Sequence, residues 1–427
     1  FGVVTFFLPP IFVLEQRITD MKSRVVITGM GIYSCLGKTL DEVRDSLYYG
    51  KSGIVFNAAR KESGFRSGLT ANIEVPDLKD ILSRNERVFM PEQAKYAYIA
   101  TVDALTQAGL GPGYMEKNEV GILYGNDSST QPTVDCVDKF REKGTTSAIG
   151  SGGIFQSMNS TITMNLACIL KLKGMNLTVS GACASGSHAI GLGTILIREG
   201  LQECLICGGA QEVNPWSVCS FDGISAFSLR EDSPTKASRP FDRDRDGLVP
   251  GGGAATIILE SYESARKRGA KILAEIIGYG FSGNGDHISV PNVDGPARSI
   301  NMAIRQAGIN ISEVKYVNAH ATSTPVGDAN EAKAINAVFG DYKPEVTSTK
   351  SQTGHEMWMA GASEVIYSVL MMHGGFIAPN LNFENPDEDS ARLNIPAERV
   401  DKEFDVFLSN SFGFGGTNST LIVKNFK

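Results

Sequence analysis

Short strand-like runs and helix-like stretches alternate along this chain, and that alternation predicts a layered α/β fold with helices covering sheets. Three observations carry the prediction. Apolar runs end in glycine-rich or polar turns. Stretches with apolar residues three and four apart lie between them. After a basic segment near residue 270 the series begins again. The restart suggests two similar α/β halves, residues 21–270 and 271–427, meeting at a shared site.

Taken in order, residues 24–29 read as a buried strand entering a glycine turn, and Leu40 to Tyr49 as a helix. Residues 52–90 are polar and aperiodic, an excursion from the core. Glu92 to Gln107 has helical spacing at Ala94, Tyr98, Val102 and Leu105, and Gly109 stops it. Val120 to Tyr124 is a strand. Leu177 to Ser180 is another that runs straight into Cys183, and Ala184 to Arg198 is the helix that follows. Strands at Glu203 to Gly208 and Ala254 to Leu259, then a basic helix at Ser261 to Arg268, close the first series. The second holds a strand at Ile272 to Ile277, a helix at Ala297 to Ala307 and a strand at Val314 to Asn318. Helices at Asp328 to Phe339 and Ala360 to Met372 come next, then strands at Val406 to Ser409 and Thr420 to Val423.

Composition narrows the function. With 42% hydrophobic residues the chain can bury large cores, which excludes general disorder. A net charge of -7 argues against nucleic acid as the main partner. Seven cysteines, an odd number without framework spacing, fit a reducing cytoplasm. Phe1 to Leu14 is apolar, but it is too short to span a membrane and is broken by Pro9 and Pro10. It has neither a basic leader nor a small-residue cleavage site. Residues 1–20 are therefore read as an upstream extension, with native translation starting near Met21.

Three separated segments carry chemistry. In Ser180-Gly-Ala-Cys183-Ala-Ser-Gly, small neighbours leave the sulfur approachable, and a helix N-terminus would favour thiolate. A buried structural cysteine is the bland alternative. His320 ends a strand and opens a loop with Thr322, Thr324 and Pro325; His355 follows Gly354 and precedes a helix. Either histidine alone reads as a packing or capping residue. Lys350 lies on the same turn region as His355, and Asp328 and Glu331 are candidates to pair with it. Asn410 to Asn418 is a glycine-rich loop whose spacing is wrong for a dinucleotide site. Gly413 and Gly415 around Phe414 suit a hinged aromatic gate and a backbone N–H donor. Cys204 and Cys207 sit in an apolar strand without a second ligand pair, so no metal is expected. Cys35, Cys136, Cys168 and Cys219 have no catalytic context. His188 reads as a packing or hydrogen-bonding residue, and His287 and His373 as loop and helix-end histidines.

From Met21 onward the chain resembles the elongating β-ketoacyl-acyl-carrier-protein synthases. The landmarks are Val26-Ile-Thr-Gly-Met-Gly31, the cysteine segment, Ala237-Ser-Arg-Pro-Phe-Asp242, both histidine segments and the terminal glycine loop. The resemblance implies a thiolase-like fold of two similar halves in layered α-β-α-β-α architecture. It also implies a homodimer, with a heterodimer beside an inactive paralogue compatible. By the same resemblance Cys183 takes an acyl chain as a thioester, and His320 and His355 assist decarboxylation of malonyl-carrier. The N–H groups of Cys183 and Phe414 form an oxyanion hole, and Lys350 and Glu331 a supporting ion pair. Thr322 and Thr324 contact the phosphopantetheine arm, and Phe414 gates the acyl pocket. The partner implied is acyl carrier protein, which brings the phosphopantetheine, so no cofactor of the chain's own is expected. A non-catalytic chain-length-factor-like subunit and a coenzyme A thiolase are the competing readings. The first would lack the nucleophile; the second would want a cysteine near the C-terminus, and the last one here is Cys219.

The chain departs from the pattern in three places. After His355 it has Glu-Met-Trp-Met where small residues are usual, it reads His320-Ala-Thr, and it carries Asn126-Asp-Ser-Ser129 where the acyl pocket is usually small or apolar. Polar groups beside a saturated chain are costly. An unusual acyl group is expected: short, unsaturated or aryl-capped, as in polyene pathways.

Overall fold

The computed structural model describes residues 23–427; the expected upstream extension lies outside them. In the first series, β1 is Val25–Tyr33, β2 Val120–Gly125, β3 Asn176–Val179, β4 Cys204–Gln211 and β5 Gly253–Ser261. In the second, β6 is Ala274–Gly283, β7 Tyr316–Asn318, β8 Glu345–Thr347, β9 Val406–Gly413 and β10 Thr417–Asn425. The helices that matter here are α1 (Glu92–Ala108), α2 (Ser185–Arg198), α3 (Asp294–Ala307), α4 (Pro325–Phe339) and α5 (Ala360–Gly374).

The ten strands lie in the order β8-β7-β9-β10-β6-β1-β5-β4-β2-β3. The arrangement repeats. Within the first series the order is first, fifth, fourth, second, third, and the second series repeats it. Both have an antiparallel fifth strand between the first and the fourth, with the remaining strands parallel. The two sets join where β1 and β6 pair antiparallel, Val26 opposite Glu275 and Ile27 opposite Ala274. Helix α1 covers one outer face and α3 the other, while α2 and α5 pack on each other between the two sets of strands. This is a five-layer α-β-α-β-α sandwich. Strands buried on both faces read as nearly unbroken apolar runs, and every residue of β1, β4 and β5 is buried.

A second repeat concerns glycine. An added Cβ at Gly31 on β1 would lie 2.0 Å from the Ala100 carbonyl oxygen of α1. At Gly280 on β6 it would lie 1.9 Å from the Ser299 oxygen of α3. Each outer helix therefore rests directly on the backbone of the first strand of its own series. Gly31→Ala and Gly280→Ala are each expected to lower unfolding free energy by about 2 kcal/mol or more, because backbone cannot move aside as a flexible side chain can. Urea titration of both variants checks this.

Candidate functional site

Cys183 lies in a 3₁₀ turn, Ala182–Ala184, between β3 and the first turn of α2. Three hydrogen bonds hold the approach. Ala182 N–H donates to Asp127 Oδ2 at 3.0 Å, Gly181 N–H to Ser185 Oγ at 2.9 Å, and Ser185 Oγ to the Ala182 carbonyl at 2.6 Å. They keep Ala182 at φ +45°, a left-handed conformation that costs an L residue about 1–2 kcal/mol. Cys183, which follows, is 6% exposed. Burial, opposed by the Lys350 charge, pushes the thiol pKa up to about 12. The expected pull of the helix N-terminus toward thiolate is thus outweighed by desolvation, and the resting thiol is neutral.

His320 stands two residues beyond β7, in a loop whose backbone is gathered by α4. Glu331 accepts the N–H groups of His320 (2.9 Å) and Ala321 (2.6 Å), and Asp328 those of Thr322 (3.0 Å), Ser323 (3.2 Å) and Thr324 (3.3 Å). The two acids are three apart on the helix and so share a face. His355 is fixed differently: its N–H donates to the Val249 carbonyl at 2.7 Å, and its own carbonyl accepts from Gly251 at 2.8 Å. The imidazole rings meet edge-on, with centroids 5.3 Å apart. In both rings Nδ1 is buried and without a hydrogen-bond partner among the described residues. Burial, reinforced by Lys350, holds both imidazoles well below their usual range, so they are neutral at pH 7.

One expectation about the charges is corrected. Lys350 pairs with Glu364 on α5, not with Glu331 or Asp328. Glu331 has both oxygens committed to the His320 loop and to Asn410 Nδ2 at 3.0 Å. Both members of the Lys350–Glu364 pair are 1% exposed. Burial pushes the Glu364 carboxyl up to about 7, with Lys350 pulling against it.

A cavity of about 340 Å³ is lined by Cys183, His320, His355, Thr322, Thr324 and Phe414. Glu331 and Gly413 also border it; Gly415 and the buried Lys350 are not in its wall. Phe414 is half-exposed and stacks on Phe221, with centroids 6.0 Å apart. The glycine-rich segment is mostly strand. β9 and β10 pair from Asn410–Thr420 to Gly413–Thr417, leaving only Phe414–Gly416 as a turn, with Gly415 at φ +78°.

Asn126 to Ser129 do not line this cavity, and most of their polar groups are already engaged within the protein. Asp127 holds the cysteine turn, Asn126 Nδ2 donates to the Asn159 carbonyl at 2.8 Å, Ser128 Oγ accepts from the Trp358 indole at 3.3 Å, and Ser129 Oγ donates to the Gln156 carbonyl at 2.5 Å. Sequence reasoning missed Glu364 and the role of Asp127 in holding the cysteine turn. Glu364 did leave a signal, as a lone charge on an otherwise apolar helix. His287 proves to border the cavity mouth, its Nδ1 accepting the N–H groups of Ser289 and Val290. His188 is a hydrogen-bonding residue as expected, held by Tyr279 OH at 2.7 Å and Thr417 Oγ1 at 2.8 Å. Among the described residues no helix is long and apolar enough to cross a membrane.

Two α/β units of identical strand order, with a cysteine turn from one facing two histidine loops from the other, define a condensing enzyme of the thiolase-like fold. The chain belongs to the β-ketoacyl synthase family: residues 22–265 match the family's N-terminal domain and 273–384 its C-terminal domain. It is 40% identical to 3-oxoacyl-[acyl-carrier-protein] synthase 1 of Escherichia coli (strain K12) over 407 residues, 95% of this chain and 99% of that protein. A crystal structure of a β-ketoacyl synthase from Burkholderia phymatum STM815 superposes with a TM-score of 0.91 at 35% identity, covering 95% of this chain and 100% of the other. The ishigamide ketosynthase/chain length factor superposes with a TM-score of 0.88 at 30% identity, with the same coverage.

Two outcomes test the electrostatic account. Glu364→Gln leaves a buried ammonium without its counter-charge and is expected to cost about 3–5 kcal/mol. Glu331→Gln keeps an acceptor for the loop and is expected to cost about 1–3 kcal/mol; urea unfolding ranks the two. Burial also lowers the His188 pKa from 6.5 to about 4. Below pH 6.5 the unfolded chain takes up a proton that the folded one refuses. His188 therefore adds stability above that pH that is lost as pH falls toward 4, at up to about 1.4 kcal/mol per pH unit. In His188→Asn the deficit relative to wild type, measured at pH 7, 6 and 5, is expected to shrink as pH falls.

Proposed function

We propose that this chain catalyses the decarboxylative condensation of an acyl thioester with malonyl-acyl-carrier-protein to give a 3-oxoacyl-carrier-protein. The observation that carries the reading is the convergence of Cys183, His320 and His355 on one cavity, with the charge of buried Lys350 felt by all three. Cys183 attacks the incoming thioester and becomes acylated, the proton leaving with the pantetheine thiol. The malonyl C–C bond then breaks, carbon dioxide departs, and its electron pair becomes an enolate. Neutral His320 and His355 donate to the enolate oxygen, which needs no strong base. The carbanion forms its bond to the acyl-Cys183 carbonyl, the N–H groups of Cys183 and Phe414 hold the oxyanion, and the thiolate leaves. Thr322 and Thr324, whose hydroxyls are 3.1 Å apart at the cavity wall, contact the pantetheine arm, and Gly413 and Gly415 let the Phe414 gate move. Lys350 supplies positive charge, and Glu331 positions the His320 loop.

The carrier named for the curated synthase supports acyl carrier protein as the partner. We take the assembly to be a homodimer, and the division of the chain to fall near residue 270, where the strand order repeats. Pairing with a chain-length-factor-like paralogue is the second arrangement, supported by the ishigamide neighbour. A purely non-catalytic subunit is disfavoured because nucleophile, both histidines and lysine are all present and assembled.

Intact-protein mass spectrometry with a panel of acyl-carriers, followed by malonyl-carrier, tests this. The expected result is an acyl adduct that disappears in Cys183→Ala and a product two carbons longer. His320→Ala and His355→Ala are expected to slow decarboxylation by about a hundredfold or more. Full activity in Cys183→Ala would overturn the reading.

A further inference from the structure

Behind the sulfur the structure is closed. The cavity wall includes Phe221, Ala226 and Leu248. Beyond it Val218, Phe227, Met357 and Trp358 pack with Cys183 into one apolar block. Trp358 is its largest member and is 8% exposed. Its indole N–H reaches across to Ser128 Oγ at 3.3 Å, and its ring lies 6.5 Å from that of Phe221.

The turn that carries Trp358 cannot retreat. Its carbonyl oxygen would be 2.4 Å from a Cβ at Gly209 and 2.9 Å from one at Gly186, so its backbone already presses on β4 and α2. Met357 before it is held at φ +46°. A group attached to Cys183 and entering this block must therefore displace packed side chains, the indole the largest of them. Cores resist such overpacking, and a wall that cannot move discriminates by size.

We infer that Trp358, pinned by Ser128, is a specificity-determining residue that forms the end wall for the acyl group on Cys183 and restricts it to short chains. This rests on the acyl-transfer reading above and names the substrate class for the same site. The interaction is one of shape. The indole excludes long chains by occupying their path, and the Ser128 hydroxyl keeps it from swinging aside.

The test is intact-protein mass spectrometry of Cys183 loading with butyryl- and decanoyl-pantetheine. Wild type is expected to load butyryl faster than decanoyl by about tenfold or more. Trp358→Gly is expected to bring the two rates together, and Trp358→Phe to fall between. Ser128→Ala, which frees the indole without removing it, is expected to relax the preference several-fold and remains informative if Trp358→Gly fails to fold. Wild type loading decanoyl as readily as butyryl would overturn the wall, as would an unchanged ratio in a folded Trp358→Gly that loads both. No adduct on wild type from either thioester or from the acyl-carrier panel, with the fold intact by circular dichroism, would instead overturn acyl transfer and the inference with it.

Discussion

Everything at this site depends on the close approach of two helix ends. An added Cβ at Gly361, in the first turn of α5, would fall 2.5 Å from Ser187 of α2, and one at Gly186 of α2 would fall 3.1 Å from the Ala362 nitrogen of α5. Only bare backbone at both positions lets the inner helices start this near each other. Each helix is entered from a loop bearing chemistry, Cys183 before α2 and His355 before α5. The packing of two glycines thus becomes the placement of a thiol beside an imidazole. The strands upstream fix the direction from which each loop arrives.

The charges are arranged with the same economy. Thiol and imidazoles are neutral in the resting state because burial opposes their ionisation, and the ammonium of Lys350 is balanced by one carboxylate in direct contact. The site thus carries little net charge until a reaction creates some. Dipoles and donors already in place then act in a medium where they are worth more than in water. Glu331 and Asp328 serve backbone instead. Besides Asn410 Nδ2 on Glu331, they accept five N–H groups of the His320 loop, which neither helix nor sheet could satisfy, and one from Phe241.

Much of this was legible in the sequence, for identifiable reasons. The buried strands announced themselves because both of their faces are covered, and α1 because a periodic apolar stripe ends at a left-handed glycine. The helix Thr130–Lys143 escaped because it buries only Pro132, so its sequence has no apolar stripe. The partner of Lys350 was misassigned because the resemblance pointed to acids on α4, whereas the contact is made with Glu364 on α5. The polar run 126–129 was read against an acyl chain; that it braces the cysteine turn depends on long-range contacts that no local pattern encodes. Lys350 and the run 126–129 teach the same thing: chemistry was visible residue by residue, but which residue answers which is decided by tertiary packing.

The seam between β1 and β6 has a consequence of its own. Among the described residues only Val26–Glu275 and Ile27–Ala274 join the two sets of strands edge to edge, so ladder hydrogen bonds contribute little to holding the series together. Cohesion falls to the apolar layer in which α2 and α5 pack against strands of both series. Neither series can cover its inner face without the other. The architecture, though it repeats, therefore has no separable half: loss of either repeat strips the shared layer from the other, and the chain is built to unfold as one cooperative unit.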